Sequence, residues 1–236
     1  MNEHTVKSYE DELKLLDRRI AQMGGYAEKL LVQAMDSLER RDPKLAEKAV
    51  SDDVMVDQLE RELQDQVIVM IARRQPLAND LRHIMTVVKI AGDLERIGDL
   101  AKNIAKRALT IAGEAYPKPL MTGMRHMTEM VQGQLKDVLD ALTSLDAEKA
   151  MEVWRNDQQV DAMYNSLFRE LLTYMMEDPR NIGICTHFLF GAKNIERIGD
   201  HTTNIAENVY YLVHGVPIAD DRPKGDKTSS TLITPR

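Results

Sequence analysis

The 236-residue sequence contains a single cysteine, Cys185. One thiol excludes an intrachain disulfide and any cysteine-based metal cluster. Its neighbours Ile184, Phe188 and Leu189 are apolar, so it reads as a buried structural thiol rather than a reactive one. Aromatic rings are also scarce: 3 Phe and 1 Trp stand against 14 Met, which leaves flexible thioethers to fill the core. Proline and glycine are sparse, at 8 and 12, and the prolines avoid the interiors of the long periodic segments, as helices require. An excess of basic charge is missing too, the formal net charge being -7. That argues against a protein whose affinity rests on a basic surface meeting nucleic-acid phosphates, and it gives no help at an anionic membrane. No apolar run approaches the roughly 18 residues of a membrane span. The opening "MNEHTVKSYEDELKLL" lacks the apolar stretch of a secretory signal. These absences describe a cytoplasmic protein with no nucleic-acid partner and no direct membrane insertion.

What is present is helical period, in six long amphipathic stretches. The first spans about Tyr9 to Arg40 and the second Pro43 to Arg73. Asp42-Pro43 between them is a start signal, because Asp caps free N–H groups and Pro is harmless at the first helical position. "RRQPLAND" then breaks the chain, and Asn79 or Asp80 is placed to cap a third helix reaching about Ala112. "GEAYPKP" marks a mid-chain break. A fourth helix begins near Met121 and ends around Leu145, and a fifth runs from Asp146 to about Met176. Asp178-Pro179 repeats the cap-then-proline signal and starts a sixth, to about His214. The remainder, "GVPIADDRPKGDKTSSTLITPR", is polar and aperiodic and reads as a mobile tail.

The two halves repeat each other, as a search for internal periods reveals. Met23, Ala27, Leu31 and Leu38 return as Met127, Val131, Leu135 and Leu142, at an offset of 104. Asp53 and Asp57 return as Asp157 and Asp161 at the same offset. Glu95, Arg96, Ile97, Gly98, Asp99, Asn103, Ile104 and Ala105 return 101 residues later. The expected fold is all-α, a duplicated three-helix unit with one copy in residues 1–115 and one in 116–214, followed by the tail at 215–236.

The repeated polar letters carry the functional question. "DLERIGDLAKNIAKR" (Asp93–Arg107) returns as "NIERIGDHTTNIAEN" (Asn194–Asn208). Residues four apart share a helix face, so Glu95, Asp99 and Asn103 form a row, and Glu196, Asp200 and Asn204 form its twin. At 100° per residue, Ile84, Val88, Ala91, Glu95 and Gly98 cluster within about a third of a turn. Glu95 therefore points along an apolar stripe, where an unpaired charge costs several kcal/mol. A bound hard cation, ion pairing by Arg96, Arg197 or another basic side chain, or plain exposure would each resolve it. A lone E-x-x-x-D is common on solvated faces; the twofold recurrence with matching Asp pairs is what sets this case apart. Gly98 and Gly199 cost about 1 kcal/mol each in mid-helix, which points to close helix–helix approach. Asn103 and Asn204 fit interhelical hydrogen bonding as well as ligation.

Enzyme chemistry finds little foothold. Di-iron bundles use Glu-x-x-His pairs, and no such pair stands in the six helical segments. There is no glycine-rich phosphate loop and no nucleophile elbow. His126 and His201 read as surface or interhelix residues. A metal-free helical adaptor and a carboxylate-bridged metalloenzyme are the alternatives to a metal-binding regulator.

Two E-R-I-G-D helices, a D-x-x-x-D pair upstream of each, "RRQPLANDLR" and "LTYMMEDPR" together resemble the PhoU family of accessory regulators of bacterial phosphate uptake and signalling. The resemblance covers roughly residues 8 to 214 and not the tail. It implies two tandem three-helix bundles related by pseudo-twofold symmetry, in a cytoplasmic and usually dimeric protein. It further implies metal ligands at Asp53, Asp57, Glu95 and Asp99 in one half and at Asp157, Asp161, Glu196 and Asp200 in the other. Oxygen donors of this kind suit Mg, Ca, Mn or Fe. The flanks diverge, with Leu100 against His201 and Lys102 against Thr203, so the two sites need not bind the same ion or bind equally tightly. The implied role is non-enzymatic restraint: in phosphate-replete cells the protein bridges the ATPase subunit of the phosphate ABC transporter and the sensor histidine kinase.

Overall fold

Seven α-helices and one 3-10 turn form the described part of the chain. A computed structural model describes residues 3–116, 118–220, 222, 225, 226 and 228, with side chains from residue 9 onward. The helices are α1 (Glu3–Arg40), α2 (Pro43–Asp52), α3 (Val54–Arg74), α4 (Ala78–Ile111), α5 (Lys118–Ser144), α6 (Ala147–Glu177) and α7 (Ile182–His214), with the 3-10 turn at Pro179–Asn181. Capping chemistry sets several of these boundaries. Asp42 accepts from the Lys44 and Leu45 N–H groups at 2.9 and 3.2 Å, with Pro43 in the first turn. Asp146 accepts from the Lys149 N–H at 3.0 Å. Gly215 ends α7 at φ +77°, a conformation that favours glycine, and its N–H donates to the Tyr211 carbonyl.

Three expected boundaries are corrected. The second amphipathic stretch is divided at Asp53, whose carbonyl accepts from the Val56 N–H at 2.9 Å and from Asp57 at only 3.4 Å. This tightened turn sits where the Asp53 side chain is drawn inward. The third helix starts at Ala78 with Leu77 in the capping position and no side-chain cap; Asp80 lies inside the first turn, where its charge suits the helix dipole. Asp178 caps the 3-10 turn, accepting from the Arg180 N–H at 2.9 Å, rather than α7 itself.

Helices α1 to α4 form one three-helix bundle, with α2 and α3 as a broken second arm, and α5, α6 and α7 form the other. They join along α4 against α7 and α1 against α5. Met23, Ala27 and Leu31 are fully buried, and so are their repeats Met127, Val131 and Leu135. Cys185 is fully buried, and burial pushes its thiol pKa up. Among the described residues no helix is long and apolar enough to cross a membrane. The expectation of a mobile tail meets a different arrangement at Arg222, Gly225 and Asp226, which bond to α6 and α7. Residues 229–236 lie outside the described residues.

Candidate functional site

Each acidic row forms where the second arm of a bundle packs against the third. In the first bundle Asp53 and Asp57 face Glu95 and Asp99 of α4. Asp53 is only 2% exposed. Gly98 permits the approach, since a Cβ there would lie 3.0 Å from Asp53 Oδ1. Lys102, three residues beyond Asp99, donates to Asp53 Oδ2 and to Asp99 Oδ1, each at 2.5 Å. Arg96 lies at the rim, 3.5 Å from Glu95 Oε2 and 3.6 Å from Asp99 Oδ2. Two carboxylates thus share one ammonium. Burial works against the Lys102 charge, but its bonds to Asp53 and Asp99 outweigh that and raise its pKa. Burial raises the Asp53 pKa in spite of the ammonium, because the trio keeps a net negative charge out of water. Burial, then the Asp99 charge, raises Glu95 in the same direction.

The second row is more enclosed. Asp157, Asp161 and Glu196 are 3%, 5% and 5% exposed. Arg222 from the tail places its Nη2 2.8 Å from Asp157 Oδ2 and 2.7 Å from Asp200 Oδ1. Asp161 Oδ2 accepts from the backbone N–H groups of Gly225 and Asp226, at 2.6 and 3.1 Å. Lys193 donates to Glu196 Oε1 and Asp226 Oδ2, both at 2.8 Å. Burial raises the pKa of Asp157 against the pull of Arg222. It pushes Glu196 up to about 7, even with Lys193 bonded to it.

The structure therefore gathers the eight expected acids four and four. The pairing cations are mostly others than those singled out by spacing. Arg96 contributes at the rim, whereas Arg197 is exposed and makes no ion pair among the described residues. Lys102, Lys193 and Arg222 do the inner neutralising. The two lysines were readable as i,i+3 neighbours of Asp99 and Glu196; Arg222 had no such signal. Asn204 is an interhelical hydrogen bonder, donating to Asp93 Oδ1 at 3.2 Å beside His201, whose Nδ1 lies 2.9 Å from the same oxygen.

With the ammonium and guanidinium in place, no three acidic, Cys or His side chains among the described residues converge as metal ligands. The donor chemistry nevertheless suits a hard cation. Asp53 Oδ1, Asp57 Oδ1 and Glu196 Oε2 are buried and have no hydrogen-bond partner among the described residues.

Two tandem three-helix bundles, each with an acidic row between its second and third arms, define a class of all-helical repeat protein. The PhoU domain model matches residues 20–108 and 124–209, one copy in each bundle, and the chain belongs to the PhoU family. It is 52% identical over 227 residues to a phosphate-specific transport system accessory protein PhoU homolog of Rhizobium meliloti, covering 96% of both chains. A Caulobacter vibrioides protein of the same description is 50% identical over 97% of this chain and 100% of its own. The crystal structure of PhoU from Pseudomonas aeruginosa superposes with a TM-score of 0.85 at 39% identity, covering 88% of this chain and all of that one.

Proposed function

We propose that this chain is an accessory protein of a phosphate-specific transport system that restrains phosphate uptake and signalling in phosphate-replete cells. The observation that supports the reading is the match along 96% of the chain to a relative described as a phosphate-specific transport system accessory protein. It acts without catalysis, as a cytoplasmic adaptor between the ATPase subunit of the phosphate ABC transporter and the sensor histidine kinase, and as a homodimer. An acidic helical protein with no membrane-crossing helix among its described residues would meet membrane machinery through protein contacts. The test is alkaline phosphatase activity in phosphate-rich medium, with the gene deleted and then restored. High activity on deletion, suppressed on restoration, is the expected result; unchanged low activity on deletion refutes the role.

The partnerless buried oxygens of Asp53, Asp57 and Glu196 favour a second element: a divalent or transition ion, Mg, Ca, Mn or Fe, at each row. Asp53, Asp57, Glu95 and Asp99 would hold one, and Asp157, Asp161, Glu196 and Asp200 the other. The ion would supply positive charge that offsets carboxylate repulsion. Metal analysis of the purified chain, beside a Glu196→Ala/Asp200→Ala variant, decides the matter: metal in the parent and less in the variant supports it. No metal in either leaves the metal-free adaptor.

A further inference from the structure

The two rows are neutralised by different means. In the first, the ammonium is Lys102, carried by α4 itself. The equivalent position in the second is Thr203, fully buried, its hydroxyl donating to the Gly199 carbonyl at 3.0 Å. Helix α7 thus has no cation at that level, and of the row's four acids Lys193 bonds Glu196 alone among the described residues. The missing charge is delivered by Arg222, 22 residues beyond Asp200 in sequence.

We infer that Arg222, Gly225, Asp226 and Thr228 belong to an intramolecular plug of the second acidic row, seated when no divalent cation is bound there and displaced when one enters. The plug serves every acid of the row. Arg222 bridges Asp157 and Asp200, the Gly225 and Asp226 amides hold Asp161, and Asp226 shares Lys193 with Glu196. Its own turn is locked, since the Thr228 N–H and hydroxyl donate to Asp226 Oδ1 at 2.8 and 2.7 Å. Asn165 Nδ2 pins the Gly225 carbonyl at 2.9 Å. A Cβ at Gly225 would lie 3.1 Å from Asp161 Cβ, so this close seat suits glycine. A guanidinium and a divalent cation seek the same carboxylate oxygens, so each excludes the other. The first row has no such strap among the described residues, and a cation entering there displaces only a side chain. This inference rests on the cation reading of the rows for the identity of the competitor, and not on the signalling role.

A tail seated about ten to one over its released state weakens apparent cation affinity by about tenfold. The probe is Mn²⁺, with bound ion counted by electron paramagnetic resonance on the metal-stripped full chain, and with hydrogen exchange at the Gly225 and Asp226 amides. Both amides should be protected in the stripped protein and lose protection when Mn²⁺ saturates it. Arg222→Gln and, separately, Gly225→Ala should bind Mn²⁺ at the second row about tenfold more tightly. First-row affinity, isolated in Glu196→Ala/Asp200→Ala chains, should not change on adding Arg222→Gln. Unprotected amides in the stripped chain, protection that survives saturation, or no Mn²⁺ at the second row in either tail variant would overturn the inference. Unchanged second-row affinity in both variants would do so too. A failed alkaline phosphatase test would leave these readouts standing and so identify the signalling role as the part at fault.

Discussion

Replacing Lys102 with methionine removes the ammonium that joins Asp53 to Asp99 while keeping most of the aliphatic bulk. Asp53 is 2% exposed and its Oδ1 already lacks a partner, so the variant leaves a buried carboxylate unpaired. Removing one partner of a buried ion pair costs roughly 3–5 kcal/mol. Asp99 keeps 31% side-chain exposure and recovers water, which points to the low end, about 3 kcal/mol. For a chain of this size each kcal/mol moves Tm by roughly 2–4 °C, so the fall should be roughly 6–12 °C. The deficit also carries a pH signature. Burial raises the Asp53 pKa even beside the ammonium, and without Lys102 it rises further. The folded variant then holds a proton that the unfolded chain has released, so the deficit grows as pH rises and shrinks toward the ordinary carboxylate range. Urea unfolding at pH 5 and pH 8 in chelator, followed by far-ultraviolet circular dichroism and by the buried Trp154, measures it. Adding Asp53→Asn should restore most of the loss, because the stranded charge goes with it. A deficit below about 0.5 kcal/mol, the same deficit at both pH values, or no recovery in the double variant would refute the reasoning.

Glu196 gives the clearest pH dependence. Burial lifts its pKa from 4.5 to about 7, so between those values the folded chain keeps a proton that the unfolded chain has lost. Stability contributed by this group therefore falls as pH rises through that window, by about 3 kcal/mol in all, and is level above it. Glu196→Gln should flatten the fall in chelator; urea midpoints with an unchanged slope from pH 4.5 to 8 would contradict it. The two repeat glycines should also separate. Alanine at Gly199 meets Val160 and Asp157 at 3.5 and 3.6 Å, whereas at Gly98 it meets Asp53 Oδ1 at 3.0 Å. Ordinary contact at the first lets helix propensity add up to about 1 kcal/mol, so Gly199→Ala should raise Tm and Gly98→Ala should not. Equal shifts in thermal melts would disprove the close-approach account.

The helices and the duplication were legible because burial writes them into the sequence at regular intervals. Met23, Ala27 and Leu31 lie in the core together with their repeats, and sparse Pro and Gly left few competing breaks. The eight acids were legible for the same reason, since each half vouches for the other. Their neutralisation was less so. Lys102 and Asp99 have the spacing of any solvated helical pair, and only the burial of Asp53, set by α3 packing on α4, turns that pair into a structural bridge. The break at Asp53 is equally a tertiary effect: its twin Asp157 sits inside an unbroken α6, so the residue type does not cause it.

Arg222 is a different case, because no period places it and its surroundings carry the composition of a solvated tail. Segments poor in apolar surface do not order themselves; Arg222, Gly225 and Asp226 are held by a demand elsewhere. The sign of that demand is a difference between the halves. Both rows carry four acids, but the first has Lys102 where the second has Thr203. The second row keeps its acids without a lysine at that position, and besides Lys193 of α7 it draws positive charge from beyond the repeat. An ion from solution and a basic residue beyond His214 are two further sources, and Arg222 is of the second kind. Arg222 lies seven positions beyond Gly215, and at about 3.3–3.6 Å per residue that reaches up to roughly 25 Å. On the plug inference Arg222 and a metal ion are alternative answers to one charge deficit, and whichever holds the second row must be released before the other can enter.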